Sequence, residues 1–212
     1  MLSDTEYVEP WVRFMYDASP WSVTPLGRKT FNFLLDHGFF SIFLSYGADP
    51  NSKMPGYDFT VFAMYLMTIF SDYIKNEGEY LRTLDDFVGK GADFETPLLL
   101  NRDFFGRSQL GSRWWPDLGK RTTISSAFVQ GLRNSKTSDG RPAKGRFMAE
   151  VTRRLILKGI AIKGNVIHEV FGEHLGTPLL QLMNDNVDPN RSQKRRLEPE
   201  GHEETANKRQ LR

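Results

Sequence analysis

An all-α fold is predicted for this chain, arranged as a short stack of helical pairs. Three observations predict it. Apolar side chains recur at helical spacing in paired segments, and glycines close the second member of each pair. No segment shows a strong alternation of apolar and polar residues, and 159–163 is the one short strand candidate. With 212 residues, 39% of them apolar and 13% aromatic, the chain is long enough and apolar enough to close one hydrophobic core.

The first pair is read at residues 29–36 and 39–46, closed by Gly47. Thr60 then precedes Val61, Phe62, Tyr65, Leu66, Ile69 and Phe70, a run apolar nearly all round, which predicts a buried helix. After a break at 76–78, Tyr80, Leu81, Leu84, Phe87 and Val88 mark one face of an amphipathic helix, ended by Gly89 and Gly91. A third pair starts at Thr122 and Thr123, both suited to an N-cap, with Ile124, Ala127, Phe128 and Leu132 on one face. Phe147, Met148, Val151 and Leu155 form its second stripe, and Gly159 ends it. A last helix or pair lies between Val166 and Met183, divided near Gly172 or Gly176.

These elements define an ordered region over 1–187, with an insertion at about 100–122 and a loop at about 134–145. Residues 188–212 hold few apolar side chains. Ordering a backbone costs about 1–2 kcal/mol per residue, which such a composition cannot offset by burial, so a disordered tail is expected there. Two basic clusters in the tail, Lys194, Arg195 and Arg196, then Lys208, Arg209 and Arg212, resemble a bipartite nuclear-import signal. Two clusters on a flexible spacer can occupy two acidic pockets of one receptor.

Charge is unevenly distributed. Residues 1–101 carry 14 acidic and 7 basic side chains, whereas 102–163 carry 4 acidic and 14 basic, although the whole chain is close to neutral at +2. Asp4, Glu6 and Glu9 stand where a secretory signal needs a basic start and an apolar run. The longest apolar run, 61–70, is far short of the ~20 residues that span a bilayer. A location in the cytoplasm, the nucleus or both is therefore expected, with no membrane partner. The absence of cysteine excludes disulfides, thiolate zinc sites, iron–sulfur clusters and cysteine nucleophiles.

Several catalytic patterns nearly occur, and each fails at a necessary atom. Gly119-Lys120 is followed by Arg121 where a phosphate loop needs a hydroxyl, and 140–145 has the glycine spacing but Arg146-Phe147 after it. His168-Glu169 begins a zinc-protease pattern, yet Gly172 replaces the second imidazole. Gly106-Arg107-Ser108 is half a nucleophile elbow, with Leu110 in place of the closing glycine. His37, His168, His174 and His202 are scattered. No enzyme, metal or cofactor is expected.

Gly47-Ala48-Asp49-Pro50-Asn51 and Gly91-Ala92-Asp93 resemble the glycine-alanine-aspartate signature that closes the second helix of an ankyrin repeat, with Asn186-Val187-Asp188-Pro189-Asn190 as an eroded third copy. Thr-Pro-Leu, which opens the first helix of such a repeat, occurs at Thr24, Thr96 and Thr177, and only Thr24 stands at a sensible distance upstream of a closing glycine. The closing glycines Gly47, Gly91 and Gly159 are spaced by 44 and 68 residues instead of 33. Long, irregular spacing of this kind is similar to the divergent ankyrin-like C-terminal regions of fungal NACHT-type NTPases. The resemblance implies a helical solenoid that binds a protein partner, with Gly47, Asp49, Gly91, Asp93 and Gly159 as its structural turns. A structural piece, or a partner, of a larger NACHT-type assembly is an alternative role.

A further candidate surface lies in the insertion. Arg107, Arg113, Trp114, Trp115, Lys120 and Arg121 interleave cations with aromatics, as single-stranded nucleic-acid and phosphopeptide surfaces do. In the opposing reading the tryptophans pack on the body and the cations answer the acidic first half. Non-catalytic protein–protein recognition is the expected function, with nucleic-acid or phosphopeptide binding as the alternative.

Overall fold

The structure, a computed structural model, describes residues 10–18, 25–54, 58–70, 74–99, 119–135 and 142–187. Its elements in order are α1 (Pro10–Ala18), α2 (Pro25–Asp36), α3 (Phe39–Ser45), α4 (Val61–Met67) with a 3-10 turn at Thr68–Phe70, and α5 (Glu77–Gly89). Then come β1 (Pro97–Leu99), β2 (Arg121–Thr123), α6 (Ile124–Ser135), α7 (Pro142–Leu157) and α8 (Gly164–Val187). The described residues are mostly helical, in line with the all-α expectation.

Local chemistry explains where the helices begin. Thr60 is extended, and its hydroxyl accepts from the Ala63 N–H at 3.1 Å. Asn76 does the same for the Glu79 N–H at 3.2 Å, and Thr123 for the Ser126 N–H at 3.2 Å. Each side chain satisfies one of the amide donors left without a partner in the first helical turn. The break expected at 76–78 is thus the start of α5, with Gly78 in its first turn. Every side chain from Val61 to Phe70 is buried, as the apolar-all-round pattern predicts.

The second helices end alike. Gly47 N–H donates to Leu44 O and Ala48 N–H to Phe43 O; Gly91 pairs with Val88 and Ala92 with Phe87; Gly159 pairs with Ile156 and Ile160 with Leu155. The six bonds measure 3.0–3.2 Å. The three glycines have φ of 91°, 83° and 92°, a region that L side chains avoid and glycine enters freely.

Three expectations need correction. The 159–163 segment forms no strand; it leads from α7 to α8, with Ile160 and Ile162 buried. The strands are β1 and β2, paired antiparallel with Leu98 opposite Thr122, so Arg121 and Thr122 belong to a ladder and not to the insertion. Three residues are too few to show an alternating pattern, and here the partner strand defines them. Thr96-Pro97-Leu98 leads into β1 and Thr177-Pro178-Leu179 lies inside α8, in keeping with their unsuitable distance from a closing glycine. The loop between α6 and α7 is also shorter than 134–145, because α6 reaches Ser135 and α7 begins at Pro142. Helix α1 carries no expectation from the sequence.

Packing joins α2 to α3 and α5, α3 to α5, α4 to α6, α5 to α7, and both α6 and α7 to α8. One core runs through these contacts, from Trp11 on α1 to Leu179 on α8. Gly172 breaks α8 at φ 64°. A Cβ on Gly176 would lie 3.3 Å from Ile167 O, and one on Gly164 would lie 3.1 Å from Leu180, so the two halves of α8 run back along each other.

Two tyrosines tie α4 to α5. Their rings stack at 4.6 Å; Tyr65 Oη donates to Tyr80 O at 2.7 Å and Tyr80 Oη donates to Leu66 O at 3.1 Å. Burial raises both phenol pKa values well above the usual tyrosine range, and for Tyr65 the neighbouring Tyr80 adds to the rise.

Candidate interaction surface

The turns after α3 and α5 are built from the same side-chain chemistry. Asp49 Oδ1 accepts from the Asn51 N–H at 2.9 Å, and Asp93 Oδ1 accepts from the Glu95 N–H at 2.9 Å. Each aspartate folds the chain two residues ahead, as short acidic side chains do in turns. Thr96 Oγ1 adds a bond to Asp93 Oδ2 at 2.8 Å. Asn51 joins the two turns: its Nδ2 donates to Gly91 O at 2.9 Å and its Oδ1 accepts from the Asp93 N–H at 2.8 Å. A buried or half-buried amide that satisfies both ends in this way fixes the spacing of the two turns.

The connections beyond these turns are also joined. Lys53 pairs with Thr60 in an antiparallel bridge, and Asp58 sits within that small hairpin. Asp58 O accepts from the Leu99 N–H at 2.9 Å, which fastens β1 to the hairpin. The Asp58 carboxylate takes Arg121 of β2 at 2.9 Å and Lys53 at 3.5 Å. Both cations are well exposed, so water and salt weaken these pairs, and each is worth about 0–1 kcal/mol.

Of the cation–aromatic set, Lys120 and Arg121 are exposed at the start of β2. Arg107, Arg113, Trp114 and Trp115 lie outside the described residues, as do Lys194, Arg195, Arg196, Lys208, Arg209 and Arg212 of the tail. The eroded third turn is described only at Asn186 and Val187, the last residues of α8.

On the helical side, Arg154 of α7 reaches Asp85 of α5, donates to Leu81 O at 3.3 Å and holds Glu150 at 3.0 Å. Arg153 forms two 2.8 Å bonds to Glu150, and those bonds raise its pKa further. The basic middle and the acidic first half therefore meet at Arg121–Asp58 and Arg154–Asp85.

Ser41 donates to Asp86 at 2.5 Å with no imidazole between them. His37 packs its ring 4.2 Å from Phe33, and His168 and His174 are exposed on α8. Among the described residues, no three His, Asp or Glu side chains are grouped to hold a metal ion. Among them, too, no helix is long and apolar enough to cross a membrane.

Sequence reasoning passed over one surface. Phe33, Ile42 and Tyr46 are exposed at 52%, 46% and 89%, and Phe39 is half-buried beside Phe33 with rings 6.0 Å apart. Aligning the three closing glycines could have found it, because the matching positions of α5 and α7 are charged. No family model, no curated protein and no solved structure matches the chain.

Proposed function

We propose that the chain is a short, irregular ankyrin-like stack that recognises another protein and performs no chemistry of its own. The observation that carries this reading is the joining of successive connections. Asn51 binds the first turn to the second, and Leu99 binds the second connection to the first through Asp58 O. Connections joined in series form a continuous edge along which side chains face a partner as a row. The like-built helix ends at Gly47, Gly91 and Gly159 support the same reading. Arg121 and Arg154 answer acidic side chains within the molecule, which favours a protein partner over a nucleic acid. The role needs no cofactor and no metal.

Copurification of the intact chain from its native cell, with mass spectrometry of what stays bound, tests the proposal. A protein partner should be retained by the wild type and lost when Lys120→Glu and Arg121→Glu reverse the charge at the edge. Retention of nucleic acid alone, weakening steeply with salt and lost on Arg113→Ala or Trp114→Ala, would replace this reading with the nucleic-acid one. Nuclear entry is proposed separately for residues 188–212. A fluorescent protein carrying them should accumulate in nuclei of eukaryotic cells, and cytoplasmic retention rejects the signal.

A further inference from the structure

The matched helix ends put α3, α5 and α7 in register. Asp86, five residues before Gly91, reaches Ser41 of α3, six residues before Gly47. Arg154, five residues before Gly159, reaches Asp85 of α5, six residues before Gly91. The same offset in both contacts lays the three closing turns side by side at one end of the stack. Packed helices lie about 8–10 Å apart, so the residues directly before the closing glycines form a row at that spacing. The row reads Tyr46, Lys90, Lys158.

Charge changes along this end. The first turn is acidic through Asp49, and the second sets Lys90 against Asp93 and Glu95. In the third, Ala161 stands where the first two have their aspartate, and the charged residues are Lys158 and Lys163. Lys120 and Arg121 add their charges at the start of β2. The carboxylates of the second turn are turned inward: Asp93 accepts from the Glu95 N–H and from Thr96 Oγ1, and Glu95 accepts from Ser125 Oγ at 2.7 Å. The lysines are not. Lys90, Lys158 and Lys163 are exposed, and among the described residues no carboxylate pairs with them. The dipole at a helix C-terminus favours a cation at Lys90 and Lys158. It opposes one at Lys163, whose carbonyl accepts from the Val166 and Ile167 N–H groups and which therefore caps the positive, N-terminal end of α8.

We infer that this basic end of the stack takes an acidic, extended segment of a partner protein. The inference rests on the recognition role proposed above and names the chemistry of the partner. Charge selects the occupant: lysines without carboxylates of their own, one of them set against a helix dipole, are complemented by carboxylates from outside. Spacing selects its form. The polyproline-II form has three residues per turn and advances about 9 Å in that turn, so acidic side chains three residues apart meet Lys90 and Lys158 in succession. A β-strand repeats each face after about 7 Å and falls short of the row. Tyr46, 89% exposed at the uncharged end of the row, offers its ring to a proline of such a segment. A second copy of this end would set the same lysines against each other. A nucleic acid would bring its continuous phosphates against Asp49, Asp93 and Glu95.

Fluorescence anisotropy of the full chain with a labelled peptide of repeated Glu-Pro-Pro triplets tests it. The wild type should bind this peptide, less tightly as salt rises, and should ignore a peptide of Lys-Pro-Pro triplets. Lys90→Glu with Lys158→Glu should weaken binding at least tenfold. Lys75→Glu with Arg133→Glu makes the same change in net charge before the start of α5 and in the last turn of α6, at the opposite end of the stack, and should leave binding within twofold. Lys163→Glu should weaken binding without lowering the melting temperature, because it removes a cation from the wrong end of a helix. No binding of the Glu-Pro-Pro peptide by the wild type overturns the inference. So does equal binding of the Lys-Pro-Pro peptide, an equal loss in the two double variants, or tighter binding of an oligothymidine of the same charge. Copurification separates the two readings: a protein partner retained by the intact chain alongside any of these results rejects the inference and keeps the recognition role.

Discussion

Helices α3 and α5 end in the same hydrogen-bonded turn, at Gly47 and Gly91, and both pack against their own pair and a neighbour. Their outward positions differ. Helix α5 carries Asp86, engaged with Ser41, and ends at its cap Lys90; α3 carries Ile42 and ends at its cap Tyr46, both open to solvent. The backbone design repeats, and the side chains decide whether a face is closed internally or stays open to solvent. The core follows the same division: the second pair is buried from Val61 to Phe70, whereas the first pair has Phe33 and Ile42 exposed.

That contrast can be broken by substitution. Phe62→Ala should have the largest effect, a loss of about 3–5 kcal/mol in urea denaturation, because the ring is fully buried between Phe87 and Phe94 at 5.7 and 4.9 Å. Phe33→Ala in the first pair should stay within about 0.5 kcal/mol. Similar losses at both would erase the distinction.

Alkaline pH should act on the second pair next. Tyr65 and Tyr80 hold their protons in the folded state well above the usual range, while in the unfolded chain they ionise near pH ~10. Above that pH the unfolded state binds fewer protons, so stability is full below about pH 10 and falls as pH rises beyond it, by about 1.4 kcal/mol per tyrosine for each unit. Urea midpoints read with tyrosinate absorbance check this, and Tyr65→Phe should flatten the decline. A decline as steep in the variant would place its origin elsewhere.

Gly47→Val and Gly91→Val sharpen the shared part of the comparison. An added Cβ meets nothing within 4 Å at either site, so the cost is conformational strain alone, roughly 1–2 kcal/mol and equal in the two. Unequal thermal shifts would mean that the turns are not equivalent. Asn51→Ala should cost about 1 kcal/mol, since it removes both bonds between the turns. Smallest of all, Arg121→Ala should change stability by less than about 0.5 kcal/mol, the range of an exposed ion pair.

The helices were legible because their signals are local. A stripe such as Tyr80, Leu84 and Phe87, a cap such as Thr60 or a glycine such as Gly91 acts within a few residues, and the spacing in the chain is the spacing in space. The charge complement was partly legible as an acidic half and a basic middle, but not its pairing, since Arg154 meets Asp85 across 69 residues.

Composition and periodicity were enough to determine the mostly helical class, the ends of the second helices and the buried character of α4. The strands, the joining of the turns and the open face of α3 required the folded chain. Leu98 becomes strand by lying opposite Thr122, and Asn51 becomes a bridge because Gly91 and Asp93 arrive beside it from 40 and 42 residues away. Ile42 is no more apolar than Ile69. One is exposed and the other buried because exposure depends on which neighbours the fold delivers, and contacts at that distance leave no period in the sequence.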